Sequence, residues 1–212
     1  MSTDLSPARS ARFAAAAAAV LMTAGTAIAA APAPASAAPV TTHEIHADGS
    51  ERVTTSAATT GGSSPSPVRG AYSVPGKSVY YVESHLPRGT AWPYRWAVKK
   101  INKETGSRVK YGKCPTITRT SKYGCVRLYE KSLQAGIMGL ATWYGDGRVV
   151  IQLSPRYRSQ KLAMRRATVL HELGHGFGLP HNPSCASVMY WNARCIAGKG
   201  FTSAEKRHLH RQ

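Results

Sequence analysis

Residues 171–181 read His-Glu-Leu-Gly-His-Gly-Phe-Gly-Leu-Pro-His, and no other stretch constrains the chain as much. A spacing of four puts His171 and His175 on one face of a helix, about one turn apart. Two imidazoles so placed reach a single tetrahedral metal ion. Glu172 sits beside them, within reach of a water at that ion. A straight helix cannot bring a third ligand to the same point. Gly178 tolerates the positive φ that ends a helix sharply, and Pro180 keeps the helix from resuming. His181 is thereby turned back toward the first two histidines. Three neutral imidazoles leave the fourth position for water, the arrangement of a catalytic rather than a structural zinc. The competing reading, a histidine-bearing core helix, leaves three histidines, a glutamate and a glycine in register without a reason. Thr168 shares the histidine side, and Leu162, Val169, Leu173 and Phe177 are expected to be buried on the other.

The elements around this helix alternate in type. Val79–Val82 reads as a strand, and 91–105 as an amphipathic helix with Pro93 in its first turn and Gly106 ending it. Strands are expected at 108–111, 125–129, 136–144 and 148–153, with a tight turn at Gly145-Asp146-Gly147. The helix of the histidines runs from Lys161 to about Gly176, and a short helix spans 202–209 with Ser203 and Glu205 near its start. This order implies an α/β (α+β) fold with a twisted mixed sheet of about five strands. Trp92, Trp96, Trp143 and Trp191 read as core or cleft wall, and His208 and His210 as part of a basic tail.

The N-terminus has the features of an export signal over residues 1–37. Arg9 and Arg12 precede the apolar run Phe13–Met22, and both Ala27-Ile28-Ala29 and Ala35-Ser36-Ala37 fit a small-x-small cleavage site. Pro32 and Pro34 oppose a longer, membrane-anchoring helix, so no transmembrane anchor is expected. Residues 38–70 are rich in Ser, Thr, Ala, Pro and Gly and read as a disordered linker or pro-segment. His43, Glu44, His46 and Asp48 fall there, as a solvated polar linker or as ligands that hold a metal closed. The folded domain is expected over 71–212.

An exported chain with an even cysteine count reads as disulfide-bonded. Of the three pairings open to Cys114, Cys125, Cys185 and Cys195, the local one, Cys114 with Cys125 and Cys185 with Cys195, closes the shortest loops. The formal net charge is +18, all of it carried from residue 71 onward. Such a field favours anionic partners or solubility alone, and no nucleic-acid motif sharpens it. A cationic toxin acting by charge is a third reading of the same surface.

The motif resembles that of the metzincin metallopeptidases. Ser187-Val188-Met189-Tyr190-Trp191 is similar to their Met-turn, which would put Met189 beneath the histidines, although an ordinary buried methionine reads the same way. The C-terminal part looks like the small secreted bacterial snapalysins, but those carry Asp as third ligand, where His181 is similar to the matrixin and astacin branches. The resemblance implies a secreted, monomeric endopeptidase with one zinc ion, Glu172 as general base and peptides or proteins as substrates. It also implies a substrate-pairing edge strand at Gly139-Leu140-Ala141-Thr142-Trp143. Several branches place a Tyr two residues after the methionine; Trp191 stands there and Tyr190 is one residue early, so both are cleft or transition-state candidates only. No cysteine precedes Cys114, so a propeptide thiol cannot silence the metal. Asp146 is the single Asp after residue 70, which argues against calcium. The alternative is a non-catalytic member of the fold that binds anionic polymers through its basic surface.

Overall fold

The computed structural model describes residues 40–46, 53–56, 79–118, 121–144 and 147–210. The expected export signal, Asp48 and the Gly145-Asp146 turn lie outside them. In chain order the strands are β1 (Val40–His46), β2 (Val53–Ser56), β3 (Val79–Ser84), β4 (Val109–Tyr111), β5 (Tyr123–Glu130), β6 (Ile137–Tyr144) and β7 (Arg148–Leu153). The helices are α1 (Tyr94–Thr105), α2 (Leu162–Gly176), α3 (Ala193–Ile196) and α4 (Ser203–His210), with a 3₁₀ turn at Pro155–Tyr157.

The strands form one mixed sheet in the order β2-β1-β6-β7-β5-β3-β4. Strands β3, β4, β5 and β7 run parallel to one another, whereas β6 is antiparallel to β7. The α/β class and the five strands expected beyond residue 71 are all present. Side chains alternate along β3 and β7. One sheet face thus delivers Val82, Val126, Leu128, Val149 and Ile151 into a single core with Ala97, Val98 and Ile101 of α1 and Leu170 and Leu173 of α2.

Helix α1 begins at Tyr94, three residues later than 91. Trp92 precedes a proline, which disfavours helical backbone there. It is fully buried instead, with its indole N–H donating to Glu130 Oε1 at 3.0 Å. Pro93 is the N-cap rather than the first helical residue.

Helix α2 departs from the amphipathic expectation. Every residue from Ala167 to Gly176 is buried, while Leu162, expected inside, is 44% exposed. The sheet covers one side of the helix, and the segment holding Val188, Met189 and Phe201 joins the same core. A helix enclosed in this way has little polar face left to display a period.

The described parts of 38–70 are ordered strands. These two, β1 and β2, pair as an antiparallel hairpin, and β1 extends the sheet antiparallel to β6. A segment too polar to build a core can still order itself when an existing sheet supplies the backbone partners. The Val and Thr content of both strands suits this. Both local disulfides form, with Cα–Cα distances of 5.6 Å for Cys114–Cys125 and 5.4 Å for Cys185–Cys195. Among the described residues no helix is long and apolar enough to cross a membrane.

Candidate metal centre

The end of α2 builds the site. The N–H of Gly178 donates to the carbonyl of His175 at 2.8 Å, and that of Leu179 to the carbonyl of Gly174 at 3.0 Å. These are the paired bonds of a Schellman termination, with Gly178 at φ 89° in the left-handed position. The bend does what the spacing implied: the rings of His171, His175 and His181 lie 4.5, 5.2 and 4.6 Å apart, centre to centre. One nitrogen from each falls within 4.8 Å of the other two.

Hydrogen bonds on the far sides of two rings fix which nitrogen faces inward. His171 Nδ1 lies 2.7 Å from the carbonyl oxygen of Val188, and His175 Nδ1 lies 2.8 Å from that of Leu179. A carbonyl only accepts, so both Nδ1 atoms carry hydrogen. In the neutral rings both Nε2 lone pairs are then available, and these two atoms stand 2.9 Å apart. Converging imidazole nitrogens suit zinc, a borderline-soft ion that favours such donors. The only other cluster of ligand-type groups among the described residues, Glu83 with Cys114 and Cys125, offers no thiolate, because the cysteines are bonded to each other.

Glu172 is fully buried. Its carboxylate lies over β6, where Gly139 leaves room: a Cβ on Gly139 would stand 2.5 Å from Oε1 and 2.8 Å from Cδ and Cγ. Met189 makes a similar approach beneath the helix. A Cβ on Gly174 would meet its sulfur at 2.4 Å, so Met189 lies directly against the turn that separates the first two histidines.

Similarity to known proteins is confined to structure. No model of a protein family matches the chain, and no curated protein matches it in sequence. Solved structures do resemble it. One is archaemetzincin from Methanopyrus kandleri, at 18% identity over 65% of this chain and 96% of that one, with a TM-score of 0.39. Another is a zinc-dependent peptidase from Methanocorpusculum labreanum, at 15% identity over 62% and 99%, with a TM-score of 0.41. A third is archaemetzincin from Archaeoglobus fulgidus, at 15% identity over 61% and 99%, with a TM-score of 0.38.

Several supports of the site escaped the sequence reading. Glu205 accepts from Asn182 Nδ2 at 2.7 Å, from Ser187 Oγ and, at 2.7 Å, from the backbone N–H of Thr202. Ser187 Oγ in turn accepts the N–H of Met189 at 2.9 Å. Glu205 therefore ties the start of α4 to the turn under the histidines. Thr202 and Glu205 form a capping box, with Thr202 Oγ1 accepting the Glu205 N–H at 3.3 Å. Thr-x-x-Glu was visible in the sequence, and Thr202, not Ser203, is the capping residue. Trp143, read as core or as edge strand, is buried and donates its indole N–H to the carbonyl of His175 at 2.9 Å. Tyr190 and Trp191 lie against each other with ring centres 4.0 Å apart and planes tilted by 32°. Gly139, Leu140, Ala141, Thr142 and Trp143 all lie on β6, which has β7 on one side and β1 on the other.

Replacing Glu205 by Ala should strand three donors and loosen the Val188 carbonyl that orients His171. The expected cost is about 1.5–3 kcal/mol in stability. Zinc affinity should also fall by roughly 10–100-fold. Urea unfolding and competition with a chelating dye measure the two effects. Wild-type values in both would remove Glu205 from the support of the site.

Proposed function

We propose that this protein is a secreted zinc-dependent endopeptidase of the metzincin type, with features of the snapalysin and matrixin branches. The observation that carries this reading is the convergence of His171, His175 and His181, with the Glu172 carboxylate buried on the adjacent residue. His171, His175 and His181 would hold a single zinc ion. Zinc, when bound, supplies Lewis acidity, which acidifies a water toward a pKa of ~7 and polarises a carbonyl. Glu172 accepts the proton of the attacking water at a carboxylate oxygen and returns it to the nitrogen of the departing amine. The bonds from His171 Nδ1 and His175 Nδ1 keep both rings in the tautomer that leaves Nε2 free to ligate. The two disulfides support an extracellular location, because such bridges persist in oxidising compartments.

Casein hydrolysis by the purified chain should fall to background with a chelator and return on adding zinc, and metal analysis should find one zinc per chain. Hydrolysis indifferent to the chelator would sink this reading. A zinc-bearing chain that hydrolyses nothing but binds anionic polymers in a salt-sensitive way would favour the alternative, a binding protein working through its basic surface.

A further inference from the structure

Among the strands from residue 79 onward, β6 ends the sheet on one side and β4 on the other, and the outer row of N–H and C=O groups on β6, the strand beside Glu172, would be a template for an extended chain. That row is taken. Strand β1 runs antiparallel along the length of β6, from Val40 opposite Tyr144 to His46 opposite Ile137. The register sets Ile45 opposite Gly139, the residue that makes room for the Glu172 carboxylate. Strand β2 covers the far side of β1, so the pair docks as a hairpin.

We infer that the β1–β2 hairpin is a tethered occupant of the peptide-binding edge of β6, and that extended peptides reach the site only when β1 leaves. This rests on the peptidase reading of the histidine site. The occupancy works through the backbone: any extended peptide pairing with β6 needs the same N–H and C=O groups that β1 uses. It requires no thiol and no ligand from residues 40–46. The occupant is joined to β3 through residues 57–78, so it competes as an intramolecular partner, at an effective concentration in the ~mM range. Free substrate at ordinary concentration displaces such a strand poorly.

The test uses the full chain carrying Thr42→Pro and His43→Pro. Consecutive strand residues aim their N–H groups to opposite sides, so one of the two prolines removes a donor that faces β6. The probe is a fluorescent synthetic peptide with the sequence of residues 40–46. Binding is read by anisotropy in a Glu172→Gln background, so that the probe survives. The peptide should bind the double-proline chain at least tenfold more tightly than the chain with an intact hairpin, with zinc content equal in both. With Glu172 restored, casein hydrolysis should rise at least tenfold in the proline variant. Equal peptide binding by both chains, or none by either, overturns the inference. So does selective peptide binding accompanied by unchanged hydrolysis, which would mean that the edge is occupied without gating the site. If neither chain hydrolyses casein, the peptidase reading fails, while the binding contrast still decides whether β1 fills a peptide-binding edge.

Discussion

Glu172→Gln should leave one zinc per chain and lower casein hydrolysis by about 10²–10⁴-fold. The amide keeps the shape that fits against Gly139, so packing of α2 on β6 is preserved and only proton transfer is lost. A Gln cannot take the proton of the attacking water, nor return it to the amine. The measurement is turnover at saturating substrate beside metal analysis and an unfolding curve on the same preparation. Wild-type turnover with zinc still bound would show that another group moves the proton.

The second large effect is expected at a residue with no side chain. Gly139→Ala places a methyl group at distances from the Glu172 side chain that real Cβ atoms do not adopt. A glutamate side chain swings more readily than a helix moves, so the protein should fold and bind zinc with its carboxylate displaced. Turnover should drop at least tenfold, with little change in KM. A misplacement of about 1 Å near reacting groups is enough for a loss of roughly 100-fold. The decisive comparison is the double variant. If Gly139 acts through Glu172, adding Gly139→Ala to Glu172→Gln should cost almost nothing further. Fully additive losses would mean that Gly139 serves hydrolysis by a separate route.

The sequence exposed the parts of this molecule whose physics is local. The four-residue spacing of His171 and His175, the bend at Gly178 and the return of His181 each follow from chain geometry within one or two turns of helix. The strands from Val79 to Leu153 could be read from β-branched and aromatic runs. Burial of residues 167–176 on all sides could not, because it depends on the segment 187–201 folding back under the helix. Nor could the roles of Gly139 and Gly174, which look like ordinary small residues until a carboxylate and a thioether arrive from elsewhere in the chain. The hairpin of β1 and β2 was hidden for a related reason. Its composition argues against a core, and only a pre-existing sheet edge makes its order affordable. The capping box at Thr202 and Glu205 is a different case, since its signal, Thr-x-x-Glu, is local and plain.

Leu179 has a consequence out of proportion to its chemistry. Its N–H closes the last turn of α2, and its C=O holds the ring of His175. One peptide plane therefore serves both as the stopper of a helix and as the hinge pin of a ligand. Fraying at that end would free the imidazole, and a bound ion would oppose the fray. An ion held by His175 would therefore be coupled to this helix terminus, and stripping it would loosen the chain first at that end of α2.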